Sequence, residues 1–233
     1  MREIVLDTET TGLEAEKGDR IVEIGAIELM NHLPTGRTYH VYINPECPMP
    51  AEAFAIHGLG DDFLRDKPKF AEIAQGFLDF IGGDARLVIH NASFDMRFLN
   101  AELRRMGRPT LPFSRALDTL AMARDKFPRG PSTLDGLCRR FGVDNSGRDL
   151  HGALLDSELL AEVYLELIGG RQPDLVLDQP ETVSRKAQSA DGMKVPRAAR
   201  PAPLPARLTE DEATAHKEFV AKLGENAIWA RFG

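Results

Sequence analysis

The sequence predicts a mixed α/β domain, followed by a linker and a short C-terminal segment. Three observations lead to this fold class. About the first 170 residues contain both short apolar, β-favouring runs and longer stretches of helical periodicity. The first three apolar runs are joined by short connections, which favours an antiparallel meander. From residue 172 the composition changes, which marks the end of the domain.

The predicted elements follow in order along the chain. Apolar, β-favouring runs predict strands at residues 3–8, 21–29, 38–43, 87–90 and 116–118. Helical spacing of apolar side chains predicts helices at residues 71–81, 94–106 and 120–126. Ser132 and Asp135 bracket a further helix start, and a long last helix at residues 149–168 ends at Gly169 and Gly170.

The end of the first predicted strand carries two acids, Asp7 and Glu9. Side chains two residues apart on a strand project from the same face, so the two carboxylates point together. Adjacent carboxylates at the end of a buried strand repel each other and are costly to desolvate. A divalent cation removes that cost, and oxygen ligands suit Mg²⁺ or Mn²⁺. The alternative is an exposed strand end with two solvated acids.

Two further acids lie on the apolar faces of predicted helices. Asp95 shares its face with Phe98 and Leu99, and Asp156 shares its face with Leu159. Acids normally avoid such faces, so an aspartate there usually has a cation or a hydrogen-bond donor to meet. One such residue could make a satisfied core hydrogen bond. Two of them, added to the pair on the first strand, favour a shared metal site.

His151 precedes Asp156 by five residues. On one continuous helix the two side chains would diverge by roughly 140°, at about 100° per residue. If both serve one site, His151 therefore belongs in the turn before the helix. A lone histidine is more often structural or solvated. Beside a metal cluster, however, an imidazole suits the role of general base, because its ordinary pKa lies near neutrality.

The pattern Asp7-x-Glu9, Asp95 and His151-x4-Asp156 resembles the DEDDh 3′→5′ exonucleases, which have an RNase H-like fold. Wider strings, among them DTETTG, VIHNASFD and LHGALLD, resemble the family of proofreading subunits of bacterial DNA polymerase III. The resemblance runs from about residue 4 to residue 170, and more loosely to the C-terminus. It implies a five-stranded sheet flanked by helices, with the acids at its centre. The implied reaction removes mispaired 3′-terminal nucleotides as deoxynucleoside 5′-monophosphates.

The resemblance also implies roles for the site residues. Asp7, Glu9 and Asp156 would hold the first of two divalent metal ions, Mg²⁺ or Mn²⁺. Asp7 would bridge to the second ion, with Asp95 acting directly or through water. His151 would take the proton from the attacking water.

A second segment of the family lies beside the 3′-terminal nucleotide and contains a glutamate and a histidine. The string AEAFAIHG matches that segment, so Glu52 and His57 are candidate substrate contacts. Without the resemblance, a surface acid and a turn histidine would be equally good interpretations. Asn91 is expected to cap the helix that follows it rather than to orient the site.

The C-terminal part of the chain predicts a tether and a docking segment. Residues 172–208 hold six prolines and no aromatic residue, which predicts a flexible linker after a catalytic domain of residues 1–171. Residues 209–233 combine an amphipathic helix with an aromatic tail, and the resemblance implies docking to the polymerase catalytic (alpha) subunit. Folding back onto the catalytic domain is the alternative. The predicted polymerase contacts are Phe219, Val220, Leu223, Trp229 and Phe232.

Three residues near the start of the linker predict another partner. Gln172, Leu175 and Leu177 match the short Gln-x-x-(Leu/Met)-x-(Phe/Leu) peptides that bind the bacterial sliding clamp (beta). A chance match is the alternative, since such patterns are short. A small theta-type subunit is a further partner that the resemblance allows.

The composition limits the classes of function that this chain can have. The net charge of −7 argues against strong unaided binding to nucleic acid, which suits an enzyme brought to a single-stranded or frayed 3′ primer end by a partner. Cys47 and Cys138 are the only cysteines, and no apolar run approaches the ~20 residues of a membrane span. We therefore expect a cytoplasmic protein with no membrane contact. The alternatives are a free-standing nuclease, a structural polymerase subunit and a non-catalytic nucleic-acid-binding module.

Overall fold

A computed structural model describes residues 1–147, 150–170 and 209–223. Within these residues one mixed sheet of five strands has the order β3-β2-β1-β4-β5. The strands β1, β2 and β3 pair antiparallel, whereas β4 pairs parallel with both β1 and β5. The strand bounds are Arg2–Thr10, Ile21–Met30, Leu33–Tyr42, Arg86–Ile89 and Ala116–Asp118 for β1 to β5. The predicted fold class is confirmed.

The described part of the chain contains eight α-helices. Their bounds are Ala51–His57, Asp61–Leu64, Phe70–Ile81, Ala92–Arg105, Thr119–Lys126, Leu134–Phe141, Ala153–Leu167 and Glu210–Leu223 for α1 to α8. Two short 3-10 helices lie at Ala15–Lys17 and Phe113–Arg115. No helix among the described residues is long and apolar enough to cross a membrane.

Strand β1 separates two apolar cores because its side chains alternate between the two faces of the sheet. Ile4 and Leu6 belong to the core that contains Phe77 of α3 and Leu99 of α4. Val5 belongs to the core formed with Leu160 and Tyr164 of α7. Continued along the strand, this alternation directs the side chains of residues 7 and 9 toward the α7 face and that of residue 8 toward the α4 face.

Helix α7 is attached to the sheet by a polar contact at each end. Near its start, the Ser157 hydroxyl donates to the carbonyl of Gly25 on β2 at 3.0 Å. Near its end, the Tyr164 hydroxyl donates to Glu3 Oε1 on β1 at 2.6 Å. Both Ser157 and Glu3 are fully buried. Because a buried polar group without its partner is costly, the two contacts fix the position of α7 along the sheet.

Several predicted element bounds need correction. Strand β3 begins at Leu33 rather than at residue 38, because its hairpin with β2 is tight and the pairing continues to Leu33. Helix α7 begins at Ala153 rather than at residue 149, and His151 precedes it. Helices α1 and α2 were not predicted as elements at all. Both are short, at seven and four residues, and their sequences carry too few turns to show periodicity.

The prediction that Asn91 caps helix α4 is wrong for its side chain. Asn91 occupies the position before the helix, but its side chain makes no capping hydrogen bond. Its backbone is left-handed, with φ at 64°, and its N–H donates to Asp118 Oδ1 at 3.0 Å. An asparagine tolerates this conformation better than most residues do. The residue therefore serves the turn between β4 and α4.

A capping box closes the start of helix α8, since Thr209 N–H donates to Glu212 Oε2 at 2.9 Å and Glu212 N–H donates to Thr209 Oγ1 at 3.3 Å. The Phe219 side chain is exposed, and Val220 is partly exposed. The following predictions lie outside the described residues: the linker at 172–208, Gln172, Leu175, Leu177, Trp229, Phe232 and the side chain of Leu223.

Candidate active site

A cleft of about 600 Å³ opens where the parallel strands β1, β4 and β5 end. The five residues of the predicted acidic cluster all line this cleft, although they come from three distant parts of the sequence. They are Asp7, Glu9, Asp95, His151 and Asp156. The structure therefore brings together the side chains that the spacing argument required.

Glu9, Asp156 and His151 form a close group in the cleft. One possible ligand atom from each lies within 4.8 Å of the others. The distance between His151 Nδ1 and Asp156 Oδ2 is 3.3 Å. The carboxylates of Glu9 and Asp156 are buried, whereas the His151 side chain is 47% exposed. This combination of buried anions and a nearby imidazole suits the binding of a divalent cation.

Gly25 allows helix α7 to carry Asp156 into the cleft. Gly25 pairs directly with Asp7 across β1 and β2. A Cβ atom at this position would lie 2.2 Å from the carbonyl carbon of Ala153 and from the nitrogen of Leu154. The first turn of α7 therefore rests on bare backbone beside Asp7. Sequence reasoning did not single out Gly25, although an isolated glycine in an apolar strand is a known sign of close approach.

Asp95 enters the cleft from the other face of the sheet. It lies on the first turn of α4, is almost fully buried, and accepts a hydrogen bond from the Thr8 hydroxyl at 2.8 Å. Burial raises the pKa of Asp95 to about 7, even though the Thr8 hydrogen bond acts in the opposite direction. A carboxylate held in such surroundings is well suited to a nearby cation, which would favour its ionised form.

Asp95 and Asp156 occupy equivalent places on their helices. Each is the fourth residue, on the first turn of α4 or α7. The N-terminal turn of a helix carries a partial positive charge, which stabilises acidic side chains there. Two helix N-termini thus offset part of the repulsion among the four carboxylates. The four carboxylates form an oxygen donor set that fits divalent metal ions such as Mg²⁺ or Mn²⁺, and the His151 imidazole lies beside it.

The candidate substrate residues Glu52 and His57 lie in a neighbouring cleft of about 570 Å³. The two clefts share Glu9, Leu13 and Phe94 in their walls, so they adjoin at the acidic cluster. His57 is buried, and its Nδ1 accepts a hydrogen bond from the Leu59 N–H at 3.0 Å. Burial also lowers the pKa of His57, which favours the neutral ring.

Leu13 and Phe94 are wall residues that sequence reasoning missed. Leu13 is 76% exposed, which is unusual for a leucine, and it stands between the two clefts. Their positions in the sequence could have identified them as wall residues, because Leu13 follows the string that carries Asp7 and Glu9, and Phe94 immediately precedes Asp95. An exposed apolar side chain beside a polar cleft offers a surface on which a flat ring can pack.

Comparison with known proteins agrees with the geometry of the site. The family described as Exonuclease matches residues 4–164. The DNA polymerase III subunit epsilon of Rickettsia felis is 50% identical over 231 residues, which cover 97% of this chain and 99% of the relative. The protein of the same name from Escherichia coli strain K12 is 42% identical over 238 residues, covering 98% and 97%. The chain belongs to this exonuclease family, among the epsilon subunits of DNA polymerase III.

Solved structures of more distant exonucleases confirm the predicted fold for this epsilon-family chain. Exonuclease X in complex with 5′-overhanging duplex DNA has a TM-score of 0.56 at 24% identity, covering 71% of this chain and 90% of that one. The nuclease domain of 3′hExo, a DEDDh family member bound to rAMP, has a TM-score of 0.62 at 20% identity, covering 72% and 91%. At these identities the likeness establishes the fold alone.

Proposed function

We propose that this chain is the proofreading 3′→5′ exonuclease of a bacterial DNA polymerase III, acting on the 3′ end of single-stranded or frayed primer DNA in the cytoplasm. The observation that supports this most directly is the convergence of Asp7, Glu9, Asp95, Asp156 and His151 in one cleft. This convergence occurs in a chain that is 50% identical to an epsilon subunit over nearly its whole length. The reaction is hydrolysis of the terminal phosphodiester, with release of a deoxynucleoside 5′-monophosphate.

The four carboxylates divide between two places in the proposed mechanism. Asp7, Glu9 and Asp156 would hold one divalent ion, and Asp7 would also contribute to a second ion near Asp95. When bound, the two ions supply Lewis-acid stabilisation of the attacking water and of the departing 3′-oxygen. The burial of Glu9, Asp95 and Asp156 keeps these ligands in place and limits competing water.

His151 is proposed as the general base. It accepts the proton of the water whose oxygen attacks the terminal phosphorus, while the bond from that phosphorus to the 3′-oxygen of the preceding nucleotide breaks. Asp156, with Oδ2 at 3.3 Å from His151 Nδ1, stabilises the imidazolium that results. Because about half of the ring surface is exposed, the proton can then pass to solvent.

The neighbouring cleft is the proposed site of the 3′-terminal nucleotide. It adjoins the acidic cluster at Glu9, so a nucleotide held there presents its phosphate to the reacting groups. Glu52 and His57 would contact the terminal nucleotide. Because Nδ1 of the neutral His57 ring accepts from the Leu59 N–H, the ring proton lies on Nε2.

The proposed function is tested with the purified chain and DNA that carries a labelled 3′ mismatch. With Mg²⁺ or Mn²⁺ we expect stepwise shortening from the 3′ end and labelled 5′-monophosphate as the product. An excess of EDTA should stop the reaction, and a 3′-phosphorothioate linkage should slow it. Release of internal oligonucleotides, or degradation that continues in EDTA, would contradict the assignment.

Removal of the C-terminal segment should separate catalysis from polymerase binding. We expect a chain truncated after Gly170 to keep near-normal activity on single-stranded DNA, because all residues of the acidic cluster precede that point. It should no longer co-purify with the polymerase catalytic subunit, because α8 with its exposed Phe219 is missing. The full-length chain is the control. If the truncated chain bound the polymerase catalytic subunit with full affinity, the C-terminal segment would have no docking role.

The clamp contact proposed for Gln172, Leu175 and Leu177 has a separate test. We expect a Gln172→Ala/Leu175→Ala double variant to bind purified sliding clamp at least about tenfold more weakly than the unchanged chain, because it loses two of the three side chains of the pattern. Titration followed by fluorescence anisotropy measures the difference. A matched Val176→Ala variant lies between the pattern positions and should bind normally. Equal affinities for all three proteins would exclude this site.

A further inference from the structure

The segment that carries His151 is attached to the last turn of helix α1. The His151 backbone N–H donates to the carbonyl of Ile56 at 3.1 Å. Helix α1 ends one residue later, at His57, and is closed by the Gly58 N–H, which donates to the Phe54 carbonyl at 2.8 Å. The proposed general base therefore depends for its position on a helix that is remote from it in sequence.

Leu150 reinforces this attachment through its contact with Gly58. Gly58 has φ at +72°, in the left-handed region that favours glycine. A Cβ atom at Gly58 would lie 2.7 Å from Leu150 Cδ1, which is closer than a Cβ atom can approach without displacement. The leucine side chain thus covers the space left by the missing side chain, and it remains about half exposed on its other side.

The same turn of α1 also orients His57. The Leu59 N–H donates to His57 Nδ1 at 3.0 Å, and His57 itself is buried. One turn, residues 56–59, therefore holds both the ring proposed to contact the terminal nucleotide and the backbone of the proposed general base. In contrast, His151 has nearly half of its side chain exposed and precedes the first turn of α7.

We infer that Leu150 is a positioning residue, which together with the Ile56–Gly58 turn of α1 holds His151 beside Asp156. Leu150 acts on the reaction through His151 and does not need to touch the DNA or the metal ions. The inference rests on the proposed function, in which His151 is the base. Small displacements of a catalytic group lower kcat strongly, because proton transfer requires hydrogen-bond distance between the partners.

The test compares Leu150→Ala with two matched variants. Leu150→Met keeps an apolar side chain that can cover Gly58, and Leu33→Ala removes a similarly exposed leucine from the edge strand β3. Each protein is assayed for kcat and KM on single-stranded DNA with Mg²⁺ and for Mn²⁺ affinity by titration. We expect Leu150→Ala to lower kcat about tenfold or more, with KM and Mn²⁺ affinity changed less than about twofold. Leu150→Met should retain most of kcat, and Leu33→Ala should behave as the unchanged chain.

A second measurement does not depend on activity. Hydrogen exchange followed by NMR on the metal-free full chain reports the bond from the His151 N–H to the Ile56 carbonyl. We expect about tenfold faster exchange of the His151 amide in Leu150→Ala and no change in Leu33→Ala. If the unchanged chain had no exonuclease activity, the proposed function would fail, whereas the exchange rates would still decide the positioning contact.

Three results would overturn the inference. One is a kcat for Leu150→Ala within about twofold of the unchanged chain. A second is a raised KM with unchanged kcat, which would make Leu150 a contact for DNA. The third is unchanged exchange of the His151 amide, since that would show that Leu150 does not support the bond to Ile56.

Discussion

Replacement of Glu9 by Ala is expected to abolish metal-dependent degradation, with a loss of at least about a thousandfold in kcat. Glu9 is buried near Asp156 and His151 and contributes a ligand atom to their group. Asp7→Ala should have the same effect. The fold should survive both changes, because the loss of one carboxylate relieves repulsion among those that remain.

The measurements are the rate of 3′ nucleotide release with Mg²⁺ and the melting temperature in EDTA. His151→Ala is the matched comparison, because it should lose catalysis while its Mn²⁺ affinity changes far less than that of Glu9→Ala. Retention of most activity by Glu9→Ala or Asp7→Ala would refute the metal-site assignment. An unchanged rate for His151→Ala, with an unchanged pH profile, would remove His151 from the role of base.

Asp95→Asn is expected to inactivate the enzyme and at the same time to stabilise its metal-free fold. The pKa of Asp95 in the folded chain is about 7, against an ordinary value of 3.8. The folded state therefore holds this proton more tightly than the unfolded state, and its free energy of unfolding decreases as the pH rises from about 4 to about 7. The Asn side chain has no such titration, and its oxygen can still accept the Thr8 hydrogen bond.

Urea denaturation in EDTA tests the sign of this effect. At pH 8 we expect Asp95→Asn to exceed the unchanged chain by up to about 4 kcal/mol in free energy of unfolding, and the difference should shrink toward zero near pH 4. Saturating Mg²⁺ should narrow the difference at pH 8, because it stabilises only the ionised site. A variant that is less stable than the unchanged chain at pH 8 would show that Asp95 is not held under electrostatic strain.

The sequence predicted the sheet and the acidic cluster because both depend on local patterns. Alternation along β1 placed Asp7 and Glu9 on one face, and helical spacing placed Asp95 and Asp156 on buried faces. The divergence between His151 and Asp156 correctly required a histidine ahead of the helix. The helical periodicity of this segment was the less accurate guide, because it predicted a start of α7 at residue 149 and the helix begins at Ala153.

The remaining features depend on contacts between distant segments. Nothing in the sequence around Leu150 indicates that the His151 backbone N–H bonds to the carbonyl of Ile56, which is almost a hundred residues earlier in the chain. The local sequence predicts that the Asn91 side chain caps α4, because the partner of its backbone, Asp118, lies on β5 and is distant in sequence. The division into two adjoining clefts likewise arises only when α1 and β1 are brought together.

The bare backbone at Gly25 has a consequence for any attempt to make this protein more robust. Glycine is a poor residue in the middle of a strand, so valine or isoleucine at position 25 would look like a routine improvement by strand propensity alone. In this chain the added carbon atoms would meet the backbone of Ala153 and Leu154 and lift the start of α7 away from the sheet. Asp156 would move with it. The enzyme could therefore be inactivated by a change that leaves every acidic residue in place, at a position whose side chain takes no part in the chemistry.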